Sequence, residues 1–263
     1  MDEIADFNRK RWAALVQAEA LFTRPWLDLD VNSARARLDP ATTLGEVAGK
    51  SVLCLAGGGG QQSAAFGLLG ATVSVVDLSH AQLLRDRAAA AHYGIQIYTI
   101  QGDMRELSFL PKGHFDIVWH PYALNFVPDC REVFEQVARV LRTGGLYHFM
   151  AANPFACGLG TQDWNGRGYE LHLPYVDGAL IRYADEEWVY ARGPSQGPIP
   201  GPREYRHALS SIVNGIVASG FALVKVLEWS AEPPPLTAVP GTWDHFRLLA
   251  PPWMRFWARR QAD

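Results

Sequence analysis

The stretch "SVLCLAGGGGQQSAAFGLL", Ser51 to Leu69, constrains this chain more than any other. An apolar run ends in four consecutive glycines, and an Ala-rich segment with helical spacing follows. Glycine loses more backbone freedom on folding than any other residue. Four in a row therefore imply a tight turn, a left-handed backbone, or a close approach of the main chain to something else. A short apolar run of this kind is how a strand buried on both faces of a parallel sheet is written. Strand, glycine turn and helix together open a βαβ unit.

The next hundred residues repeat that rhythm. "ATVSVVD" (71–77) is β-branched and forms a second strand. Ser79 opens a helix that runs to about Gly94, with Gln82 placed as its capping-box partner. "IQIYTI" (95–100) alternates like a strand and leads into "QGDM", and "HFDIVWH" (114–120) is a fourth strand. Asp129 caps the helix "REVFEQVARVLR", whose apolar face is Val133, Val137, Val140 and Leu141. Gly144 and Gly145 end that helix, and "LYHFMAA" is the fifth strand. Alternating elements at this spacing predict an α/β fold with a doubly wound, mostly parallel sheet and right-handed crossovers.

Residues 1–45 are expected to be helical, with Trp12, Leu15 and Val16 on one face, either as a lid or as a helix packed on the sheet edge. Residues 46–152 form the core. Residues 153–204 break the rhythm with Gly, Pro and many aromatics, and are expected to be a cap inserted after the fifth strand. Residues 205–263 close the same domain with a helix in "REYRHALSSIVNGIVASG", a strand "FALVKVLEW" and a last aromatic stretch, "PPWMRFWARR".

Composition narrows the class. The chain has 263 residues, 48% of them hydrophobic, which suits one domain with a large core. A net charge of -3 does not suit a nucleic-acid binder, where a basic excess is expected. Cys54, Cys130 and Cys157 are odd in number and scattered, with no metal-ligand spacing, so the expected setting is a reducing cytoplasm. No apolar run is long enough for a membrane span. The acidic N-terminus lacks the apolar stretch of a secretory signal.

In an open α/β sheet a ligand binds beyond the carboxyl ends of the strands. Three features of this sequence meet there. The glycines follow the first strand, Asp77 ends the second, and Asp103 lies just past the third. Glycine-rich backbone at a helix start presents N–H groups to an anion. A carboxylate after the second strand accepts ribose hydroxyls, and one after the third takes an adenine amino group. The three describe a nucleoside with an anionic extension, which fits a dinucleotide or S-adenosylmethionine (SAM). The dinucleotide fingerprint needs a small third residue, and the candidates at that place are Gln62 or Ser63, so the fingerprint is marginal or fails.

The wider pattern resembles the class I SAM-dependent methyltransferases. "VLCLAGGGG", "DLS", "QGDM", "FDIVWH" and "VFEQVARVLRTGGLYHF" match their successive motifs, and "ALSSIVNGIVASGFALVKVLEW" resembles their closing elements. The resemblance implies a Rossmann-like fold and SAM as the cofactor. It implies cofactor contacts from Gly57, Gly58, Gly60, Gln61 and Gln62 toward the aminoacyl end, and from Asp77 to the ribose. It also implies contacts from the third-strand motif Gly102, Asp103 and Met104, with Leu78 and Gln82 beside the cofactor. Two positions depart from the family. Cys54 stands where an acidic residue is usual, and Ala56 where a glycine is usual.

His120 ends the expected fourth strand and is the leading candidate for a catalytic base, the alternative being a structural or cofactor contact; His172, Asp163 and His207 are further polar candidates, and Tyr122 of the same loop either stacks near the methyl or packs in the core. The expected partner is a small-molecule methyl acceptor, planar or apolar, held by the aromatics Trp164, Tyr169, Tyr175, Tyr183, Trp188 and Tyr190 of the insertion. Neither nucleic acid nor a membrane is an expected partner, and no metal is expected. The acceptor atom (O, N or C) stays open. Two other readings remain at this point. One is a nicotinamide-dependent oxidoreductase, and the other a SAM-binding module without catalysis.

Overall fold

Apolar and β-branched residues dominate the first strands and leave helix no advantage there. The parallel strands are β1 (Ser51–Leu55), β2 (Thr72–Asp77), β3 (Ile97–Gln101), β4 (Phe115–Tyr122) and β5 (Leu141–Ala152). They alternate with α3 (Gln62–Leu68), α4 (His80–Tyr93) and α5 (Cys130–Val140). Two helices precede them, α1 (Glu3–Gln17) and α2 (Val31–Leu38). The second half adds β6 (Leu180–Arg182), β7 (Arg203–Tyr205), α6 (Leu209–Ala218), β8 (Phe221–Leu227), α7 (Trp243–Leu249) and β9 (Trp253–Arg260). These come from a computed structural model that describes residues 2–39, 42–183, 199–228 and 233–262.

One seven-stranded sheet has the order β3-β2-β1-β4-β5-β9-β8. β9 is antiparallel to both β5 and β8, so it alone runs against the others. The chain builds outward from β1 to β3 and then returns to place β4 on β1's other side. That reversal opens a crevice beyond the carboxyl ends of β1 and β4. β6 and β7 form a separate antiparallel ribbon within the second half.

Two apolar layers sandwich the sheet. On one face Leu53, Val76, Val118 and Phe149 pack against Val133, Phe134 and Val137 of α5 and Ile212 and Ile216 of α6. On the other, Val52, Cys54, Val75 and Trp119 pack against Ala34 and Leu38 of α2, Phe66 of α3 and Leu83 of α4. Val118 and Trp119 are neighbours in sequence and enter opposite layers, as strand alternation requires. Truncating one such side chain to Ala typically costs about 2–5 kcal/mol.

The caps follow the sequence with two exceptions. Ser79 caps α4 by accepting from Gln82 N, and Gly94 ends it in the left-handed region at φ 65°. Gln82, however, does not return its side chain to Ser79. The second exception is α5. It stops at Val140, and Leu141 is already extended and paired with Phe115. Gly144 and Gly145 therefore lie inside β5, where Arg142 to Gly145 bulge outward before pairing resumes at Leu146. An Arg142–Asp116 ion pair ties the bulge to β4. Burial of Val140 and Leu141 favours an early turn into the sheet over another helical turn. Likewise "REYRHALSSIVNGIVASG" is not one helix: Arg203–Tyr205 is strand, and α6 begins at Leu209.

Candidate active site

The crevice beyond β1 and β4 holds a cavity of about 280 Å³. Of the eleven residues expected at a cofactor, ten line it: Gly57, Gly58, Gln61, Gln62, Asp77, Leu78, Gln82, Gly102, Asp103 and Met104. Gly60 does not. Its φ is +72°, and a Cβ there would lie 2.7 Å from the Arg85 carbonyl oxygen and 2.9 Å from Ala89 and Pro25. Gly60 is glycine so that the turn can fit between α4 and the N-terminal connection.

The N–H groups of Gly58, Gly59 and Gly60 are not free for an anion, contrary to the sequence expectation. Gly58 N donates to Asp77 Oδ2 at 3.0 Å. Gly59 N and Gly60 N donate to the two oxygens of Asp86 at 3.1 and 3.0 Å, and Ser63 Oγ donates to Asp86 at 2.5 Å. Asp86, from α4, is fully buried. It is the internal anion that the glycine turn wraps. Burial raises its carboxyl to about 7, and enclosure raises that of Asp77 to about 6 despite donors from Ser79 N and Gly58 N. Ala56, just before the glycines, holds a left-handed φ of 48° that costs a side-chain-bearing residue about 1 kcal/mol or more.

Other expected contacts have specific neighbours. Gln61 Nε2 donates to the carbonyls of Phe22 and Arg24, tying the N-terminal connection to the glycine loop. Asp103 is paired with Arg105 at 2.6 Å, and Arg105 reaches on to Asp2, the N-cap of α1, at 2.7 Å. That pairing pulls the Asp2 carboxyl down to about 2. Gln82 is 3% exposed, and its Oε1 has no hydrogen-bond partner among the described residues.

Part of the cavity lining is aromatic. Trp12 of α1 meets Phe22 edge-on at 5.6 Å and Phe126 at 5.8 Å. Tyr122 meets Phe126 at 6.3 Å, and Met150 completes this part. Asn8, on the same face of α1, donates from Nδ2 to the Phe126 carbonyl at 3.1 Å inside the structure. Sequence reading did not find Asn8, Phe22, Phe126 or Met150 as site residues. One signal was present: a polar Asn8 on the buried stripe that Ala5, Trp12 and Leu15 define.

His120 is not in the cavity, and its candidacy as a base is withdrawn. β4 continues to Tyr122, two residues past its expected end, so Pro121 and Tyr122 reach the crevice instead. His120 is fully buried and its Nδ1 is 3.0 Å from the Tyr147 hydroxyl. Burial lowers its pKa to about 3, which keeps the ring neutral at ordinary pH.

The described aromatics of the insertion do not line the cavity either. Trp164 and Tyr169 pack on His245 and Phe246 of α7. Tyr175 stacks on Phe155, and its hydroxyl accepts from Leu209 N at the start of α6. The Tyr183 hydroxyl accepts from Gly158 N. Trp188 and Tyr190 lie outside the described residues.

The cavity fits SAM on its own evidence. Gly58 leaves room that a Cβ would close, since that atom would sit 2.7 Å from Gln82 Cβ and 2.9 Å from Asp77 Oδ2. Asp77, with its raised pKa, and Gln82, with its orphaned amide oxygen, are acceptors waiting for donors such as ribose hydroxyls. Two carboxylates beneath the turn suit a ligand that carries positive charge.

Comparison with known proteins agrees. Residues 53–149 match the family described as "Methyltransferase domain". The uncharacterized methyltransferase YbaJ of Bacillus subtilis is 33% identical over 143 residues, 54% of this chain and 56% of that protein. A ubiquinone biosynthesis O-methyltransferase of Azotobacter vinelandii is 32% identical over 107 residues, 41% of this chain and 46% of that protein. The chain thus spans about half the length of these curated relatives. The crystal structure of an S-adenosylmethionine-dependent methyltransferase from Mesorhizobium loti superposes with a TM-score of 0.64 at 24% identity, covering 88% of this chain and all of that one. It shares the fold. The motifs, the strand order and the cavity agree with that match: residues 53–149 carry a methyltransferase domain on a sheet of the SAM-dependent methyltransferase fold.

Proposed function

We propose that the protein methylates a small planar acceptor bound at the aromatic part of the cavity, with SAM along the β1–β3 end. The observation that carries this is one cavity lined both by the polar Asp77, Gln82 and Asp103 and by the aromatic Trp12, Phe22 and Phe126. SAM supplies a methyl group already activated on a sulfonium. The protein's part is then mainly to hold two molecules in line and keep water away.

Asp77 binds the ribose hydroxyls, Gln82 Oε1 accepts a further donor from the nucleoside, and the third-strand loop around Gly102, Asp103 and Met104 holds the adenine. Gln62 and the backbone of Gly57 and Gly58 face the aminoacyl end. α1 is the lid, held through Asp2–Arg105 and Asn8–Phe126. The relative named for O-methylation in ubiquinone biosynthesis supports a small-molecule acceptor.

The test is incubation with methyl-labelled SAM and a panel of phenols, catechols and indoles, read by mass spectrometry. Label in one acceptor class is the expected result. Tight SAM binding with no transfer to any acceptor would leave a binding module, and a melting-temperature shift by NADH but not by SAM would move the protein to the oxidoreductases.

A further inference from the structure

Tyr122 stands where β4 runs into the cavity, and its hydroxyl is already committed. It donates to Glu204 Oε2 at 2.6 Å, a length typical of a charge-assisted bond. Glu204 comes from β7, far along the chain, and is 6% exposed. Its position is fixed by the buried Asn125. That amide donates to the Tyr205 carbonyl at 2.9 Å and accepts from Ala152 N at 2.7 Å, clamping β7 against the ends of β4 and β5. The fold thus delivers a buried carboxylate to a cavity-wall phenol.

A neutral phenol donates one hydrogen bond and accepts through its lone pairs. With the donation taken by Glu204, Tyr122 can offer a ligand only an acceptor. Its match is a molecule that brings a donor to the aromatic lining. We propose that Tyr122 and Glu204 form the acceptor-side pair of this enzyme: the methylated heteroatom carries a hydrogen, donates it to Tyr122 Oη, and its proton passes by way of Tyr122 to Glu204. The acceptor's X–H bond breaks with its electron pair left on X. A new O–H bond forms on Tyr122 as the old one breaks, and the old proton joins the Glu204 carboxylate. Tyr122 ends neutral and Glu204 ends as the acid. The substrate class is therefore a phenol, catechol or other ring with a protic heteroatom. Among the described residues, Cys157 and Tyr183 of the insertion face the pair, and Arg206, just past β7, faces Cys157. The inference rests on the methyltransferase reading above.

The experiment titrates catechol and its dimethyl ether into protein loaded with S-adenosylhomocysteine, by calorimetry, for wild type, Tyr122→Phe and Glu204→Gln. Catechol turnover with SAM is followed from pH 5 to 9. Wild type is expected to prefer catechol by about tenfold, the worth of one hydrogen bond. Tyr122→Phe keeps the ring and should erase that preference while S-adenosylhomocysteine affinity holds. Glu204→Gln should leave catechol affinity within about twofold but lower kcat roughly a hundredfold and remove the acidic limb of the pH profile. No catechol preference in wild type, a preference kept by Tyr122→Phe, or wild-type kcat in Glu204→Gln overturns the inference. If S-adenosylhomocysteine itself does not bind wild type, the methyltransferase reading fails and takes this inference with it; binding without preference sinks the inference alone.

Discussion

Asp77 and Ala56 show what single residues decide here. Asp77 is a carboxylate raised to about 6 by enclosure, and it must be ionised to accept from two hydroxyls. SAM affinity should therefore be full above pH 6 and fall about tenfold per unit below it, which calorimetry at pH 5 and 7.5 would check. A flat profile would contradict the ribose assignment. Ala56 sits at φ 48°, where the family's usual glycine carries no Cβ penalty. Ala56→Gly relieves about 1–2 kcal/mol of strain and gives back up to about 1 kcal/mol in unfolded-chain entropy. A melting temperature a few degrees higher is the expected result, and a lower one would show that the strain is absent. The acidic side chains were legible in the sequence, because Asp77 sits one strand-end from the glycines. What Asp86 does was not. A carboxylate in the middle of a helix carries no mark that it will accept from two glycine N–H groups brought next to it only by the fold.

At the scale of elements, the five parallel strands and their helices were readable, since apolar runs and caps recur at regular spacing. The end of β4 was not, and that put His120 rather than Tyr122 at the crevice. Two residues decide it: His120 is buried against Tyr147, and Tyr122, beyond a shift in the β4–β5 register, reaches the rim. The aromatic lining of the cavity was also misplaced. Aromatic density pointed to the insertion, yet Trp164 and Tyr169 spend their rings on α7, while α1 supplies Trp12. The consequence is testable on that helix. Trp12→Ala should raise KM for the acceptor about tenfold, with SAM affinity near wild type, since the lost contacts are edge-on aromatic ones toward Phe22 and Phe126. Unchanged acceptor kinetics in a folded variant would remove α1 from the acceptor site.

For the whole molecule, burial of histidines in the two layers of the sheet, His120 beside Tyr147 and His148 against Trp119, sets its response to acid. His120 falls from 6.5 to about 3 in the folded state and His148 falls too, both through burial. The unfolded chain then binds protons that the folded one refuses, so stability is full above pH 6.5 and is lost as pH drops toward 3. Each such histidine contributes about 1.4 kcal/mol per pH unit in that window. Asp77 and Asp86 act with opposite sign, being least costly below pH 4 and most costly above 7. A His120→Phe variant should therefore lose less stability than wild type between pH 6.5 and 4, by denaturant melts, although it strands the Tyr147 hydroxyl at every pH. Parallel curves would show that His120 is not buried neutral. The central claim is that the cavity beyond β1 is the SAM site, and calorimetric titration of SAM into wild type and Asp77→Ala tests it most directly. One site per chain is expected in wild type. Asp77→Ala, still folded, should bind 10- to 100-fold more weakly, the loss of about 1.5–3 kcal/mol for a charged acceptor. Equal affinity in the two proteins would contradict the account.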